Sequence, residues 1–114
     1  MSKRIQRINQ LIKKELGQIL LREIEFPRDV LVTITRVETS VDLNQARVFL
    51  SCFPEDKTSQ ILEILHRQIY SIQQLLNRRL KMKFIPRIEF REERKTAEAG
   101  KIEELLEELK KGEK

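Results

Sequence analysis

Apolar and polar positions alternate with a period of two in the middle of the chain, over residues 30–53. Two runs rich in β-branched residues flank a polar link there, which is typical of a β-hairpin. In the second run, one face carries only small and aliphatic side chains, namely Ala46, Val48, Leu50 and Cys52. The pattern therefore predicts a sheet with one buried face, which neighbouring helices must cover.

On both sides of the hairpin, apolar residues recur every three to four residues, which is the spacing of one helix face. Residues 2–23 are predicted to form a helix, capped by Ser2, whose apolar face consists of Ile5, Ile8, Ile12, Leu16 and Ile19. A longer helix is predicted to begin after Pro54 and to run to about Leu80. A short strand over residues 86–91 and a helix opened by Thr96 complete the order. The fold class is therefore α+β.

Length and composition place the chain among single-domain globular proteins. Its 114 residues are 39% apolar and 36% charged. Residues 1–95 are predicted to form the domain, and residues 96–114 a charged C-terminal helix or tail. The one cysteine, Cys52, excludes an intrachain disulfide and is interpreted as a core residue in a reducing, cytoplasmic compartment. No apolar run approaches the length of a membrane span.

Positive charge is concentrated in the helical segments. Residues 1–28 carry a net charge of +4 and residues 57–94 of +5, whereas residues 29–56 carry −3. Clustered basic surface is typical of proteins that bind a polyanion, usually nucleic acid. A solvated surface rich in ion pairs, as in heat-adapted proteins, is the alternative. The clustering favours nucleic acid.

Ten side chains are the candidates for contact with nucleic acid: Lys3, Arg4, Arg7, Lys14, Arg67, Tyr70, Arg78, Arg79, Lys81 and Lys83. Those of the first helix lie opposite or beside its apolar stripe. The basic cluster at the end of the long helix exceeds what compensation of the helix dipole requires, which indicates phosphate contacts as well. Tyr70 lies off the apolar stripe, and it either stacks on a base or packs its ring on arginine stems.

The residue types needed for catalysis or metal binding do not come together. One histidine and one cysteine give no nucleophile–base pair, and His66 has no second metal ligand near it. Gly17, Gly100 and Gly112 are too far apart to form a phosphate-binding loop. We therefore expect neither enzymatic activity nor a metal or other cofactor.

The hairpin resembles the central signature of the ribosome-binding factor A family. Residues 33–48 read TITRVETSVDLNQARV, which is the most specific part of the likeness. Further likenesses lie in the first helix, in the Pro27-Arg28 pair, in the Pro-x-Ile-x-Phe strand at residues 86–90 and in residues 99–102. Phe26 stands where the family has an acidic residue. The resemblance covers about residues 4–106.

This resemblance implies a KH-like fold of the type II arrangement, α-β-β-α-β with a C-terminal helix, lacking the Gly-x-x-Gly loop. It also implies that the protein binds the immature 30S subunit, at 16S rRNA near the neck and the 3′ region, and assists rRNA processing and maturation. The implied partners are the 30S subunit and 16S rRNA, and the family suggests an assembly GTPase. We expect a monomer that does not associate with membranes.

An Ala-x-Gly kink interrupts the long helix in that family. The corresponding triplet here is Gln68-Ile69-Tyr70, which lacks both the Ala and the Gly. Because the apolar arc keeps its phase through the triplet, the kink is predicted to be shallow or absent.

Two other functions remain open. A generic single-stranded RNA-binding module would need several exposed aromatic rings, and Tyr70 is the only good candidate in the pattern. A protein-interaction module would use the acidic hairpin edge or the charged tail, and its binding would survive neutralisation of the basic helix faces.

Overall fold

The computed structural model describes residues 2–93. Within that range lie three α-helices and one three-stranded sheet, in the order α1 Lys3–Glu23, β1 Leu31–Thr39, β2 Gln45–Phe53, α2 Thr58–Arg67, α3 Ile69–Arg79 and β3 Arg87–Glu92. A 3-10 turn, Glu55–Lys57, precedes α2. The predicted α+β class is confirmed. The helix predicted to begin at Thr96 lies outside the described residues.

The first helix begins where the sequence predicts. The Ser2 hydroxyl accepts a hydrogen bond of 3.0 Å from the backbone N–H of Ile5, which satisfies one of the donors left unpaired at a helix start. The buried face of α1 consists of Ile8, Ile12, Leu16, Ile19 and Leu20. The helix therefore packs with the apolar stripe toward the sheet and leaves its basic side chains in solvent.

The central strand of the sheet is β2. It pairs with β1 in antiparallel register, with Leu31 opposite Phe53, and with β3 in parallel register, with Gln45 opposite Arg87. The register of β1 shifts at Thr35, where one extra residue forms a β-bulge. Since β3 runs parallel to β2, the chain must cross back over the sheet, and α2 and α3 supply that crossover.

One face of the sheet is buried and the other is open. Ala46, Val48 and Leu50 have no exposed surface, and Phe90 of β3 is 1% exposed. Burial raises the pKa of the Cys52 thiol, which agrees with its interpretation as a core residue. Position by position, β2 alternates between buried and more exposed side chains as the sequence predicts. The three helices cover only the buried face.

The predicted long helix is divided at Gln68 into α2 and α3, so it is not continuous to Leu80 as predicted, while a shallow kink stays a prediction. Gln68 has φ −107° and ψ 16°, and its N–H is shared among the carbonyls of Ile64, Leu65 and His66. The apolar phase nevertheless continues, since Ile61 and Leu65 of α2 and the core residues of α3 are all buried. When a single residue leaves helical geometry but the helices on both sides of it still face the same core, the apolar periodicity is unchanged. The pattern therefore does not reveal the break.

Gln73 joins α3 to the start of β3. Its Nε2 donates a hydrogen bond of 3.2 Å to the carbonyl of Pro86, and its Oε1 accepts one of 2.9 Å from the N–H of Ile88. The crossover is thus attached to the sheet by one amide side chain.

Replacing Gln73 by Leu should lower the free energy of unfolding by about 2 kcal/mol, because two half-buried backbone groups lose their partner. Urea unfolding followed by circular dichroism measures the change. The matched control is Gln74→Leu, at a half-buried position whose side chain forms no hydrogen bond to another described residue. It should stay within about 0.5 kcal/mol of wild type. Equal effects of the two substitutions would contradict the assignment.

Candidate nucleic-acid interface

A groove of about 920 Å³ opens where three parts of the chain meet. One wall is the N-terminal half of α1, another is the link between β1 and β2, and the third is the segment between α3 and β3. We call it the α1 groove, and its lining residues are Arg4, Arg7, Ile8, Leu11, Asp42, Leu43, Asn44, Met82, Lys83, Phe84 and Ile85. It combines an apolar floor with charged walls.

The third wall is attached at both ends. The N–H of Leu80 bonds to the carbonyl of Leu76 at 3.0 Å, which ends α3, and the N–H of Arg87 bonds to the carbonyl of Asn44 at 3.0 Å. Leu80 and Pro86 are buried. The residues between them must therefore pass alongside α1 on their way to β3, and they close the groove.

The β1–β2 link forms the wall of the groove that carries a negative charge, on the Asp42 side chain. The Asp42 carboxylate accepts hydrogen bonds from the Ser40 hydroxyl at 2.6 Å, the Asn44 N–H at 3.0 Å and the Asn44 side-chain amide at 3.0 Å. The Ser40 hydroxyl bond, followed by the bonds from Asn44, holds the pKa of Asp42 below its usual value. These bonds fold the link around Leu43, which has a φ of 63°. The carboxylate is therefore ionised and tied to its own loop.

Three predicted RNA contacts come together at this groove. Arg4 and Arg7 are one helical turn apart on α1, and Lys83 faces the same space from the third wall. All three are exposed, and none forms an ion pair with another residue of the range 2–93. The groove thus holds a group of cations that form no ion pair with the described part of the chain.

The other predicted contacts lie outside the α1 groove. Four of them are exposed side chains. Lys3 and Lys14 lie on α1, whereas Arg78 and Lys81 lie at the end of α3 and just after it, a stretch that we call the α3 exit together with Lys83. Arg67 lies at the end of α2, 3.8 Å from Glu63 in an exposed pair. Tyr70 is 74% exposed, so arginine stems do not cover its ring, which leaves the ring open for stacking.

Arg79 has an internal role that the sequence analysis missed. Its Nη1 lies 2.9 Å from Glu15 Oε1 and 2.9 Å from Gln18 Oε1. The Arg79 side chain is 31% exposed and that of Glu15 is 19% exposed. This ion pair joins the end of α3 to the middle of α1. The charge of Arg79 is thus largely used within the protein, whereas that of neighbouring Arg78 is not.

Phe84 is the groove residue that the sequence analysis did not find. Its side chain is 76% exposed, and the Nζ of Lys83 lies 5.7 Å from the centre of its ring. Phe53, at the end of β2, is 73% exposed as well. The interpretation of Tyr70 as the only good candidate for stacking is therefore wrong, since Phe53 and Phe84 are as exposed. In the sequence, Phe84 follows Lys81 and Lys83, precedes Pro86 and belongs to no periodic pattern. That context was the signal from which its exposure could have been predicted.

The open face of the sheet carries a different kind of charge. The guanidinium of Arg36 lies 3.8 Å from the centre of the Phe49 ring, and it pairs with Glu38 and, at 2.8 Å, with Glu93. The Thr35 hydroxyl donates to Glu93 as well, at 2.6 Å. Ion pairs therefore compensate the charge of Arg36 on this face, as in the second of the two interpretations of charge. Arg4, Arg7 and Lys83 at the α1 groove have no such partner within residues 2–93.

A small α+β protein with unpaired cations around a partly apolar groove has the features of a nucleic-acid-binding protein. The chain belongs to the ribosome-binding factor A family, whose model matches residues 4–106. Within residues 2–93, no helix has the length and apolar character needed to cross a membrane.

Relatives match over nearly the whole chain. The ribosome-binding factor A of Halothermothrix orenii is 35% identical over 96% of this chain and 91% of its own. That of Thermodesulfovibrio yellowstonii is 36% identical, over 96% of this chain and 92% of its own.

Solved structures of the family have a similar fold. The crystal structure of ribosome-binding factor A from Thermus thermophilus matches with a TM-score of 0.66 and 28% identity, over 79% of this chain and 97% of that one. A homology model of the Thermus thermophilus protein, fitted into a cryo-EM map of a 30S complex, matches with a TM-score of 0.60 and 26% identity, over 82% and 96% of the two chains.

Replacing Arg79 by Gln should lower the free energy of unfolding by about 1 kcal/mol, the scale of a half-exposed ion pair with good geometry. Arg78→Gln, an exposed neighbour on the same helix, should leave stability unchanged. A double-mutant cycle with Glu15→Gln, measured by urea unfolding, isolates the pair. If Arg79→Gln is as stable as Arg78→Gln, the ion pair does not join α3 to α1.

Proposed function

We propose that this protein is a ribosome assembly factor that binds the immature 30S subunit at 16S rRNA, near the neck and the 3′ region, and assists the processing and maturation of that RNA. The observation that carries the proposal is the set of unpaired cations at the α1 groove, in a chain of the ribosome-binding factor A family. The complex of the Thermus thermophilus relative with 30S supports the choice of partner.

Contact with phosphate supplies most of the binding free energy in this proposal. The contacting residues are Lys3, Arg4, Arg7 and Lys14 of α1, with Arg78, Lys81 and Lys83 of the α3 exit. Each neutralised phosphate releases condensed counterions, which favours binding without reading sequence. The fit between the shape of the protein surface and that of the folded rRNA then favours one arrangement of the rRNA. Such a factor holds rRNA in a maturation-competent arrangement and leaves when assembly is complete.

The finer features of the fold belong to the same proposal. The order helix, strand, strand, divided helix, strand agrees with a KH-like domain of type II over residues 1–95. The positions of the three glycines leave no Gly-x-x-Gly loop, so phosphates are bound by side chains instead. The charged C-terminal helix or tail predicted for residues 96–114 lies outside the described residues and stays a prediction. The protein acts in the cytoplasm as a monomer without a cofactor, and an assembly GTPase drives its departure.

A generic single-stranded RNA-binding module is the second candidate. The exposed rings of Phe53, Tyr70 and Phe84 favour it, since base stacking is how such proteins bind without sequence preference. Selectivity between particles and naked RNA separates the two functions.

Co-sedimentation with small subunits tests the proposal. Immature 30S particles, mature 30S particles and naked single-stranded RNA are compared for wild type and for a variant with Arg7, Lys14, Arg78 and Lys81 changed to Glu. We expect wild type to prefer immature particles and the variant to lose at least about tenfold in affinity, because four phosphate contacts become repulsive.

The matched control reverses four exposed cations elsewhere, Arg22, Arg28, Arg47 and Lys57, and so gives the same net charge. It should bind immature particles nearly as wild type does. Equal loss in both variants would mean that only net charge matters. Equal binding of wild type to every RNA would support the generic module instead.

A further inference from the structure

Phe84 is exposed although the segment that carries it is anchored. Met82 and Ile85 pack against the core on either side of it, and Pro86 is buried. The fold therefore fixes the position of the segment without using the Phe84 ring. A single exposed apolar side chain is ordinary on a protein surface, so its surroundings decide what it means.

The surroundings of the Phe84 ring consist of an apolar part and a positively charged part. Ile8, Leu11 and Met82 give the groove an apolar floor next to the ring. The unpaired cations of Arg4, Arg7 and Lys83 lie along its rim. A volume of about 920 Å³ lies within the range of sites that enclose an organic group, and it exceeds what a lone phosphate needs.

The Asp42 wall limits how an anionic ligand can lie. Its carboxylate is held in place by three hydrogen bonds and stays ionised, so a phosphate is repelled from that side. Phosphates are therefore directed toward the cations of α1 and Lys83. The uncharged part of the same ligand is left with the apolar floor and the Phe84 ring.

We infer that the α1 groove binds an unpaired nucleotide of single-stranded RNA, with its base stacked on Phe84 and its flanking phosphates on Arg4, Arg7 and Lys83. A duplex does not present the face of an interior base, because its neighbours already stack on it. The inference rests on the proposed function, since it adds to phosphate binding a pocket that selects unpaired RNA.

The probes are three RNAs with similar backbones: a fluorescein-labelled octauridylate, an octamer of the same sugar-phosphate chain without bases, and a duplex of eight base pairs. Binding is followed by fluorescence anisotropy with the full chain. Phe84→Ala should weaken octauridylate binding about 5- to 150-fold, the range for loss of base–aromatic stacking. It should leave binding to the abasic octamer and to the duplex unchanged.

Two variants control the measurement. Phe84→Trp keeps an aromatic face and should bind octauridylate at least as tightly as wild type. Phe53→Ala removes an equally exposed ring outside the groove and should have no effect. Because Phe84 is 76% exposed, its replacement by Ala should leave urea unfolding unchanged, which separates lost binding from lost folding.

Salt dependence distinguishes the two parts of the site. Arg7→Gln should flatten the plot of log affinity against log salt by about 0.7, the value for one phosphate of a single strand. Phe84→Ala should shift that plot down without changing its slope. A changed slope in Phe84→Ala would show that the ring acts through the cations, and would overturn the inference.

The inference and the proposed function can fail separately. If Phe84→Ala binds octauridylate as wild type does, or weakens all three RNAs equally, the groove holds no base and the inference is wrong, while selective binding to immature 30S particles can still stand. If only octauridylate binding is lost but wild type shows no preference for immature particles, the groove is as inferred and the proposed function is wrong.

Discussion

Covering a single face of β2 is the constraint on which the rest of this structure depends. Ala46, Val48 and Leu50 have no exposed surface, and a three-stranded sheet cannot bury them by itself. The three helices of the described range all lie on that face. Because β3 runs parallel to β2, the covering helices are also the crossover connection. The segment that leaves α3 must then return past α1 to reach the sheet, and this return creates the α1 groove.

The same constraint separates two kinds of charge. On the open sheet face, Arg36 lies among carboxylates and over the Phe49 ring, so its charge is compensated locally. At the α1 groove, Arg4 and Arg7 have no carboxylate partner among the described residues. Arg79 lies between these cases, because it is basic but serves to join α3 to α1. In the proposed function, the pairing of charges, rather than their number, is expected to decide where a polyanion binds.

The strong periodic patterns predicted most of the fold. The bounds of α1, the alternation of β2 and the buried residues Ile88 and Phe90 follow from spacing, and the Ser2 cap follows from its residue type. Periodicity alone could not predict the interruption at Gln68, because both halves of the helix keep one apolar phase, although the family's kink falls at the same triplet. Phe84 was missed because a residue outside regular structure has no period that reports its exposure. The ion pair of Arg79 was missed because its partner, Glu15, lies 64 positions away along the chain.

The most direct test of this account is a cryo-EM map of the protein bound to immature 30S particles. The account predicts that the α1 groove, with the exposed cations of α1 and of the α3 exit, faces 16S rRNA. It also predicts that the open sheet face around Arg36 and Phe49 is turned away from phosphate. A map in which the sheet face contacts the rRNA and the α1 groove opens to solvent would contradict the account.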